Sequence, residues 1–337
     1  MKRNKFLDFA KGILILLVCI GHANQHVVHL DHDFWQDPLF KTIYMFHMPL
    51  FMAIAGYFSY QGINNSSSMF LYLKKRLISY LLPIFSWAVI LQVAAFCFNH
   101  TQPNENVLFL IARSLPTLWF LWAILWSVIL SAFANLFGKY RLLLFLIIFI
   151  FTLLLPDRSI LLLFKYIFPF FVIGFYCNNI DFSQIQPSKR KIAILFLFIA
   201  SSVCFFFWEK KSYIYVTGMR IFIENIQNII FRWIAGVIVS AFFILLLYYI
   251  FSSCKGMLNR MFVVAGRNSI YIYILQVYLL DLIIKPLTGL FPSRLGILFS
   301  DLTSVIVGFM LTFICLSIGF LLSINKYTAL ILFGKVK

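Results

Sequence analysis

Long apolar runs recur from one end of this sequence to the other and limit what the chain can fold into. Of its 337 residues, 62% are hydrophobic and only 12% are charged, whereas a soluble domain carries about 25% charged residues. An apolar run of roughly 18–22 residues is long enough for a helix to cross the hydrocarbon core of a bilayer. The pattern therefore predicts an all-α integral membrane protein with about ten transmembrane helices. The predicted spans are 9–28, 42–60, 79–98, 118–137, 141–155, 160–178, 192–208, 229–251, 268–284 and 303–324.

The distribution of basic residues predicts the orientation of these helices. The net charge is +17, from 28 Lys and Arg against 11 Asp and Glu, but the basic residues are scattered through short loops, which argues against nucleic-acid binding. With the N-terminus inside, eighteen Lys and Arg residues fall in cytoplasmic segments and nine in the opposite segments, while Lys165 lies within a span. Because cytoplasmic loops carry the excess of Lys and Arg, both termini are predicted to be cytoplasmic.

The same pattern excludes several other classes of protein. An outer-membrane barrel would alternate polar and apolar residues in short segments. The six cysteines have no C-x-x-C spacing, which indicates neither a disulfide framework nor a zinc site. The basic start of the chain is typical of a secretory signal, but no small-x-small cleavage site follows, so we expect a helix of the mature protein. In the absence of a repeat or a long linker, residues 1–337 are predicted to form one membrane domain.

The first predicted span carries ionisable residues where a membrane makes them costly. Asp8 and Lys11 lie at its cytoplasmic end with i,i+3 spacing, at which a carboxylate and an ammonium can pair. His22 follows Lys11 by eleven residues, which is about 16 Å along a helix and close to three full turns. Lys11 and His22 therefore lie on one face, and such residues usually face a cavity or a partner. The alternatives are a Lys11 that reaches the lipid interface and a His22 that only packs.

The second predicted span contributes another histidine, His47, two residues before Pro49. Both His22 and His47 lie a short way from the outer end of their spans, and consecutive antiparallel helices normally pack together. The two imidazoles are therefore expected to line one cavity. Pro49 frees a backbone carbonyl and bends its helix. The structural alternative for His47 is an interhelical hydrogen bond that fixes packing.

The loop after the first span contains residues with the spacing of metal ligands. These are His26, His29 and His32, together with Asp31 and Asp33, and imidazole and carboxylate groups are ligands that zinc accepts. A short acidic loop that extends the first helix explains the same residues equally well. No metal site is expected here.

The motif in the first span resembles the membrane-bound acyltransferase family 3. Typical members carry Leu-Asp-x-x-Arg/Lys-Gly and then, after an apolar run, a histidine. Leu7, Asp8, Lys11, Gly12 and His22 match this pattern, with lysine in place of the commoner arginine. Further motifs match in the same order along the whole chain, and the most similar type is the fucose 4-O-acetylase and O-antigen acetylase. They are Phe46-His-Met-Pro-Leu-Phe51, Lys74-Lys-Arg-Leu77, Leu118-Trp-Phe-Leu121, Phe168-Pro-Phe-Phe-Val-Ile-Gly174 and Gly266-Arg-Asn-Ser-Ile-Tyr-Ile-Tyr273.

The resemblance implies an enzyme that moves an acyl group, usually acetyl from acetyl-coenzyme A, to a hydroxyl of a carbohydrate or lipid-linked glycan. His22 is then expected to act as general base, or to carry the acyl group transiently, while Asp8 and Lys11 bind the donor. The donor is a substrate, so no tightly bound cofactor is expected. The other implied partners are the glycan acceptor and the lipid bilayer, and the location is the inner membrane of a bacterium.

The resemblance also leaves several residue roles open. Trp119 is expected to stack on a sugar ring or to anchor its helix at the interface, and Lys165 is expected to reach the interface. Many family members have a histidine where this sequence has Gln276, so position 276 receives no role. The candidate groups for binding the oxyanion or the acceptor, beyond Trp119, are His47, Arg232, Asn268 and Ser269; Arg232 has the alternative of reaching the interface.

Two other functions compete with acyl transfer. One is a membrane transporter or flippase for a glycan or an acyl donor, and the other is a non-enzymatic sensor or scaffold. Transporters usually have paired repeats and broken spans in corresponding positions, and the sequence has no such repeat. A scaffold predicts that alanine at His22 disturbs assembly alone.

Overall fold

Helices form all the regular structure in the residues that the computed structural model describes, which are 4–30, 33–64, 69–97, 107–180, 184, 186–253, 256–280 and 297–336. This confirms the predicted fold class. The α-helices are α1 (Lys5–Ala23), α2 (Pro38–Asn64), α3 (Met69–Cys97), α4 (Val107–Ser114), α5 (Trp119–Asn135), α6 (Arg141–Leu154), α7 (Ser159–Tyr176), α8 (Pro187–Phe207), α9 (Ile214–Thr217), α10 (Ile223–Ser253), α11 (Met257–Arg267), α12 (Ser269–Leu279), α13 (Ile297–Leu322) and α14 (Lys326–Phe333).

Eight segments of the described chain are long and apolar enough to cross a membrane as single spans. α11 and α12 form a ninth candidate, bent by 74° at the break between them. The remaining predicted span is α6, whose fourteen residues rise by about 21 Å. α6 still connects the two ends of the bundle: Arg141 at its start bonds Asn64 and Asn135, and Leu155 beyond its end accepts from Lys165. The described chain therefore agrees with the predicted count of about ten crossings.

Several helices extend beyond the apolar runs that predicted them. α3 begins at Met69 rather than at residue 79, and α10 covers Ile223–Ser253 rather than 229–251. The added turns carry charged residues such as Lys74 and Arg76. A charged residue interrupts an apolar run in the sequence without interrupting the helix. The predicted spans therefore mark the hydrocarbon-facing parts of longer helices.

The predicted span 268–284 begins at the break between α11 and α12, and α12 forms its described part. Asn268 leaves helical geometry, with φ −114° and ψ 21°, and its side-chain Nδ2 donates to the carbonyl oxygen of Val264 at 2.9 Å. Asparagine side chains that bond nearby backbone groups compete with the helical ladder. A new helix therefore begins at Ser269 inside the bundle, while residues 281–284 lie outside the described part of the chain.

α1 lies in the middle of the bundle and contacts α2, α10, α11, α12 and α13. In the most apolar part of its span, 78% of the residues are buried inside the protein, against 11% for α8 at the periphery. A transmembrane helix enclosed in this way exposes little of its surface to lipid. Its polar residues, Asp8, Lys11 and His22, therefore face other parts of the protein.

Lys165 does not reach the membrane interface, so that prediction is wrong. Its side chain is 0% exposed, and Nζ pairs with Asp157 Oδ1 at 2.7 Å. The other oxygen of that carboxylate accepts from the backbone N–H of Met219 at 2.7 Å. Because a buried ammonium is costly unless it is paired, Lys165 ties α7 to the segments that follow α6 and α9.

Glycines allow two pairs of helices to meet at backbone distance. A Cβ atom added to Gly12 of α1 would overlap the carbonyl oxygen of Phe262 of α11, and one added to Gly266 would overlap the carbonyl oxygen of Asp8. Gly56 of α2 and Gly174 of α7 form a similar contact. Small residues at helix interfaces let backbones approach closely in membranes, and here they fix the height of α11 against α1.

The Gly266 contact gives a direct test of this packing. We expect Gly266→Ala to lower the thermal stability of the purified protein, because overpacking a tight contact costs about 1–3 kcal/mol. Gly256→Ala is the matched control, since a Cβ atom there would have no neighbour within 4 Å. Thermal unfolding in detergent measures both variants, and equal melting temperatures would contradict the contact.

Candidate active site

A cavity of about 880 Å³ follows one face of α1 through the bundle. Asp8, Lys11 and His22 all contribute to its wall, so the structure brings together the residues that the helical spacing places on one face. α2, α3, α5, α12 and the residues around the end of α14 supply most of the remaining wall. Polar and aromatic lining residues include Tyr44, His47, Tyr57, Tyr72, Arg76, Tyr80, Trp119, Tyr215, Arg267, Ser269, Tyr273 and Lys335.

A buried carboxylate organises one mouth of this cavity. The side chain of Asp8 is 2% exposed and lies between two cations, with Lys11 Nζ at 3.0 Å and Arg267 Nε at 3.5 Å. The predicted pairing of Asp8 with Lys11 is confirmed, while the ion pair with Arg267 brings in α11. Since an unpaired buried carboxylate would be strongly unfavourable, Asp8 holds both cations at the mouth.

Two further cations line the same mouth. Arg76 lies with its guanidinium carbon 5.0 Å from the ring centre of Tyr72, and Lys335 follows α14. Lys74 and Lys75, the neighbours of Arg76, are exposed and do not line the cavity. Among the described lining residues there are thus four Lys or Arg side chains against one Asp, which makes this end of the cavity suitable for a polyanion.

Asn268 and Ser269 lie at the same mouth as Arg267, because α12 begins there. Ser269 lines the cavity, whereas the Asn268 side chain accepts a hydrogen bond from Lys335 Nζ at 3.1 Å. Ser269 is seven residues from Gln276, which is about 10 Å along α12. Both residues therefore lie near the cations rather than beside His22, where the expected oxyanion role would need them.

His22 is oriented by a hydrogen bond from α12. Its Nδ1 atom lies 2.8 Å from Oε1 of Gln276. An amide oxygen only accepts, so Nδ1 carries the hydrogen and Nε2 carries the lone pair in the neutral ring. The ring of His26 is near, with the two ring centres 5.8 Å apart.

His47 lines the same cavity as His22. Its Nδ1 atom donates to the carbonyl oxygen of Ile43, one turn earlier in α2, at 2.7 Å. The Tyr44 ring packs against it edge to face, with centres 4.7 Å apart. In the neutral ring Nε2 is therefore an acceptor, which suits binding of a substrate hydroxyl better than donation to an oxyanion.

Trp119 and Tyr273 line the cavity, and Trp119 is the first residue of α5. The backbone N–H of Phe120 donates to the hydroxyl oxygen of Tyr273 at 3.2 Å, and this bond does not use the phenolic hydrogen. Tyr273 is also three residues before Gln276, so the two side chains lie one turn apart on the same side of α12. This places a hydroxyl donor close to the level of His22.

Arg232 neither reaches the interface nor lines the main cavity. Its guanidinium is buried and bonds the loop before α10, with Nε donating to Ser212 O at 2.7 Å and Nη1 to Gly218 O at 2.9 Å. Nη2 donates to the hydroxyl oxygen of Thr217 at 2.6 Å. The expected oxyanion role is therefore poorly supported, because these loop atoms already engage the guanidinium.

The loop that Arg232 holds covers the outer end of the cavity. Tyr215 on this loop lines the cavity together with Trp119. Burial raises the pKa of Tyr213 above its ordinary value, so its hydroxyl stays protonated and donates to the carbonyl oxygen of Trp35 at 3.1 Å. The loop is thus tied both to α10 and to the segment before α2.

The residues with metal-ligand spacing lie partly outside the described part of the chain, which does not include Asp31 and His32. His29 Nε2 lies 3.2 Å from Asp37 Oδ2. The other oxygen of Asp37 accepts from the backbone N–H of Phe40 at 2.8 Å, which caps α2. Within the described ranges there is no group of three His, Cys, Asp or Glu residues that could hold a metal ion.

Several lining or supporting residues were not predicted from the sequence. Gln276 and Tyr273 are the most important, and a sequence signal exists for Gln276, because a polar amide inside an apolar span is costly unless it has a partner. Arg267 and Lys335 belong to separate segments of the sequence, and only the folded chain brings them to one mouth.

Comparison with known proteins agrees with these features. Nodulation protein NolL of Mesorhizobium japonicum is 35% identical over 240 residues, which are 69% of this chain and 64% of that protein. Nodulation protein NolL of Sinorhizobium fredii is 35% identical over 221 residues, which are 63% of this chain and 60% of that protein. The chain thus matches less than two thirds of the length of these relatives.

The family comparison covers more of the chain than either relative does. No solved structure matches this chain. The family model described as an acyltransferase domain matches residues 4–324, a range that contains α1 with its Lys11 and His22 and extends beyond α13. This confirms the resemblance seen in the sequence motifs, and the chain belongs to this acyltransferase family.

Proposed function

We propose that this protein is an integral-membrane O-acyltransferase that moves an acetyl group from acetyl-coenzyme A to a hydroxyl of a carbohydrate or lipid-linked glycan. The observation that carries the proposal is a cavity that joins a cationic mouth to His22. Membership of the acyltransferase family supports the class of reaction. The proposed location is the inner membrane of a bacterial cell, with the cationic mouth in the cytoplasm.

The charge and length of the cavity support a coenzyme A thioester as donor. Lys11, Arg76, Arg267 and Lys335 supply positive charge at the mouth, and Lys and Arg are the usual partners of phosphate groups. The start of α12, at Ser269, adds backbone N–H groups and the positive end of a helix dipole. From Lys11 to His22 the path along α1 is about 16 Å, which suits an extended pantetheine arm that brings its thioester to His22.

His22 is the proposed general base. Nε2 takes the proton from the acceptor hydroxyl while that oxygen attacks the carbonyl carbon of the thioester. The tetrahedral intermediate then breaks its carbon–sulfur bond, and the imidazolium gives the proton to the departing thiolate. The ester forms, the free thiol leaves, and His22 returns to its starting state. A positioned base of this kind contributes about 10²–10⁴-fold to the rate.

Tyr273 is the proposed donor to the oxyanion of the tetrahedral intermediate. Its oxygen is already held by the backbone N–H of Phe120, so the hydroxyl is fixed before substrate binds. It lies one helical turn from Gln276, the partner of His22. Donors that are positioned in advance stabilise developing charge most effectively.

The outer half of the cavity supports a carbohydrate acceptor. Tyr44, Trp119 and Tyr215 present aromatic rings with polar edges, and His47 adds a ring nitrogen that can accept from a hydroxyl. Sugars combine apolar ring faces with many hydroxyl groups, and aromatic side chains with a polar edge match both. Trp119 therefore has the proposed role of stacking on the sugar rather than that of an interfacial anchor.

The base assignment is tested by His22→Ala. We expect membranes with the wild-type protein to transfer labelled acetyl from acetyl-coenzyme A to glycan, and His22→Ala to lower the initial rate by about 10²–10⁴-fold because the base is lost. His26→Ala is the matched control, as His26 is near His22 but does not line the cavity. Equal labelling by wild type and His22→Ala would remove His22 from the chemistry. No labelling by wild type over a panel of glycans would favour the transporter.

The oxyanion assignment is tested by Tyr273→Phe. Loss of one oxyanion donor typically costs about 10²–10³-fold in kcat, and we expect a fall of this size with little change in the KM for either substrate. Tyr271→Phe is the control, because Tyr271 lies on the same helix, is buried and does not line the cavity. A kcat for Tyr273→Phe within twofold of wild type would exclude Tyr273 as the donor.

The donor mouth is tested by Arg267→Gln. Loss of a charge-assisted contact costs about 1.5–3 kcal/mol, so we expect the KM for acetyl-coenzyme A to rise about tenfold or more, and the dependence on salt to weaken. Arg260→Gln serves as control, because Arg260 is an exposed cation on the same helix and lies outside the cavity. If both variants have the donor KM of the wild type, the phosphates bind elsewhere.

A further inference from the structure

Gln276 is a fully buried amide in an otherwise apolar helix. Its side chain is 0% exposed, and it does not line the cavity. Its Oε1 atom lies 2.8 Å from Nδ1 of His22, while its Nε2 atom has no hydrogen-bond partner among the residues that the structure describes. Burying an amide with half of its bonding capacity unused costs free energy, and an apolar residue of the same size would avoid that cost.

We propose that Gln276 is a positioning residue that holds His22 in the Nδ1-protonated form, with the Nε2 lone pair directed to substrate. This inference rests on the proposed role of His22 as general base. Gln276 acts through the ring and does not touch the reacting atoms. It gives a role to a position at which the sequence has glutamine where many family members have histidine.

The chemistry of the bond determines the protonation state of the ring. Each neutral imidazole has one N–H and one lone pair, and the bonded neighbour decides which nitrogen carries which. Because Oε1 of Gln276 can only accept, the hydrogen resides on Nδ1. Without that acceptor both forms of the His22 ring become populated, and the form with hydrogen on Nε2 cannot take a proton from the acceptor hydroxyl.

The neutral charge of the amide also fits the second half of the reaction. A carboxylate in the same place would fix the ring but would stabilise the imidazolium as well. Gln276 fixes the ring without a charge, so the imidazolium of His22 formed in the first step returns its proton readily to the leaving sulfur. An amide therefore suits a base that has to act as an acid within the same turnover.

α12 supplies the rigid support for this arrangement. Ser269, Tyr273 and Gln276 lie on this one helix of eleven residues; Ser269 and Tyr273 line the cavity, and Gln276 holds the ring. The backbone of α12 thus couples the donor mouth, the proposed oxyanion donor and the base.

The tautomer is measured directly by ¹⁵N NMR of histidine-labelled protein in nanodiscs, with the signals of His22 identified by their loss in His22→Gln. We expect a wild-type ring with protonated Nδ1 and unprotonated Nε2. In Gln276→Met, which keeps the side-chain length but replaces the amide oxygen, we expect signals of both forms. This NMR measurement does not require acyl transfer, so it tests the inference even if the proposed function fails.

The kinetic arm compares Gln276→Met with Gln276→Glu. We expect Gln276→Met to lower kcat by about 10–100-fold, the effect typical of losing a group that orients a metal-bound histidine, with the donor KM unchanged. Gln276→Glu keeps an acceptor oxygen at the same place, whether or not it is ionised, and is expected to restore the Nδ1-protonated signal, with a kcat above that of Gln276→Met but below that of the wild type.

Ser304→Ala is the matched control. Ser304 accepts from Asn24 at 3.3 Å, so this variant also removes a buried hydrogen bond at the outer end of α1, but one that does not involve His22. We expect kcat and the His22 signals to stay as in wild type. The inference is wrong if Ser304→Ala matches the effects of Gln276→Met, if Gln276→Met leaves the signals unchanged, or if wild-type His22 carries its hydrogen on Nε2.

Discussion

The buried carboxylate of Asp8 is the interaction on which the architecture of the site depends. It needs cations within the protein because water is scarce there, and it finds Lys11 on its own helix and Arg267 on α11. Arg267 can reach it because Gly12 and Gly266 let the two helix backbones touch at the same height. This contact between α1 and α11 in turn determines where α11 ends and α12 begins. One ion pair and one glycine contact thus fix the mouth of the cavity and the start of the helix that supports His22.

The two ends of the cavity have different chemical characters. Cations predominate at the end near Asp8, whereas aromatic rings, phenolic hydroxyls and imidazoles predominate at the other. The outer end is closed by a loop whose backbone carbonyls are held by the guanidinium of Arg232. This division suits two substrates that enter from opposite sides of a membrane and meet at His22. It also means that changes in acceptor preference can arise at the outer loop without disturbing donor binding.

The sequence predicts well whatever depends on a single helix. Lys11 and His22 share a face because 3.6 residues per turn fixes their relation, and their common cavity follows from that. Asn268 and Ser269 were candidates for binding the oxyanion at His22. Their position along the cavity depends instead on where α1 and α11 cross, at Gly12 and Gly266, and sequence periodicity does not encode that crossing. The partners of Lys165 and Arg232 lie in loops 8 and 20 residues earlier in the chain, and apolar patterning does not show how these loops fold back, so it predicted an interfacial position. Gln276 illustrates the same limit, since its partner is 254 residues away.

α6 has a consequence for the surrounding lipid. Its fourteen residues rise by about 21 Å, while the hydrocarbon core of a typical bilayer is about 30 Å thick, and large apolar side chains such as Leu146, Ile147 and Phe151 are exposed along it. A helix shorter than the bilayer is matched by local thinning of the lipid. We therefore expect the membrane to be thinner beside α6, with the aqueous compartments on its two sides closer together there.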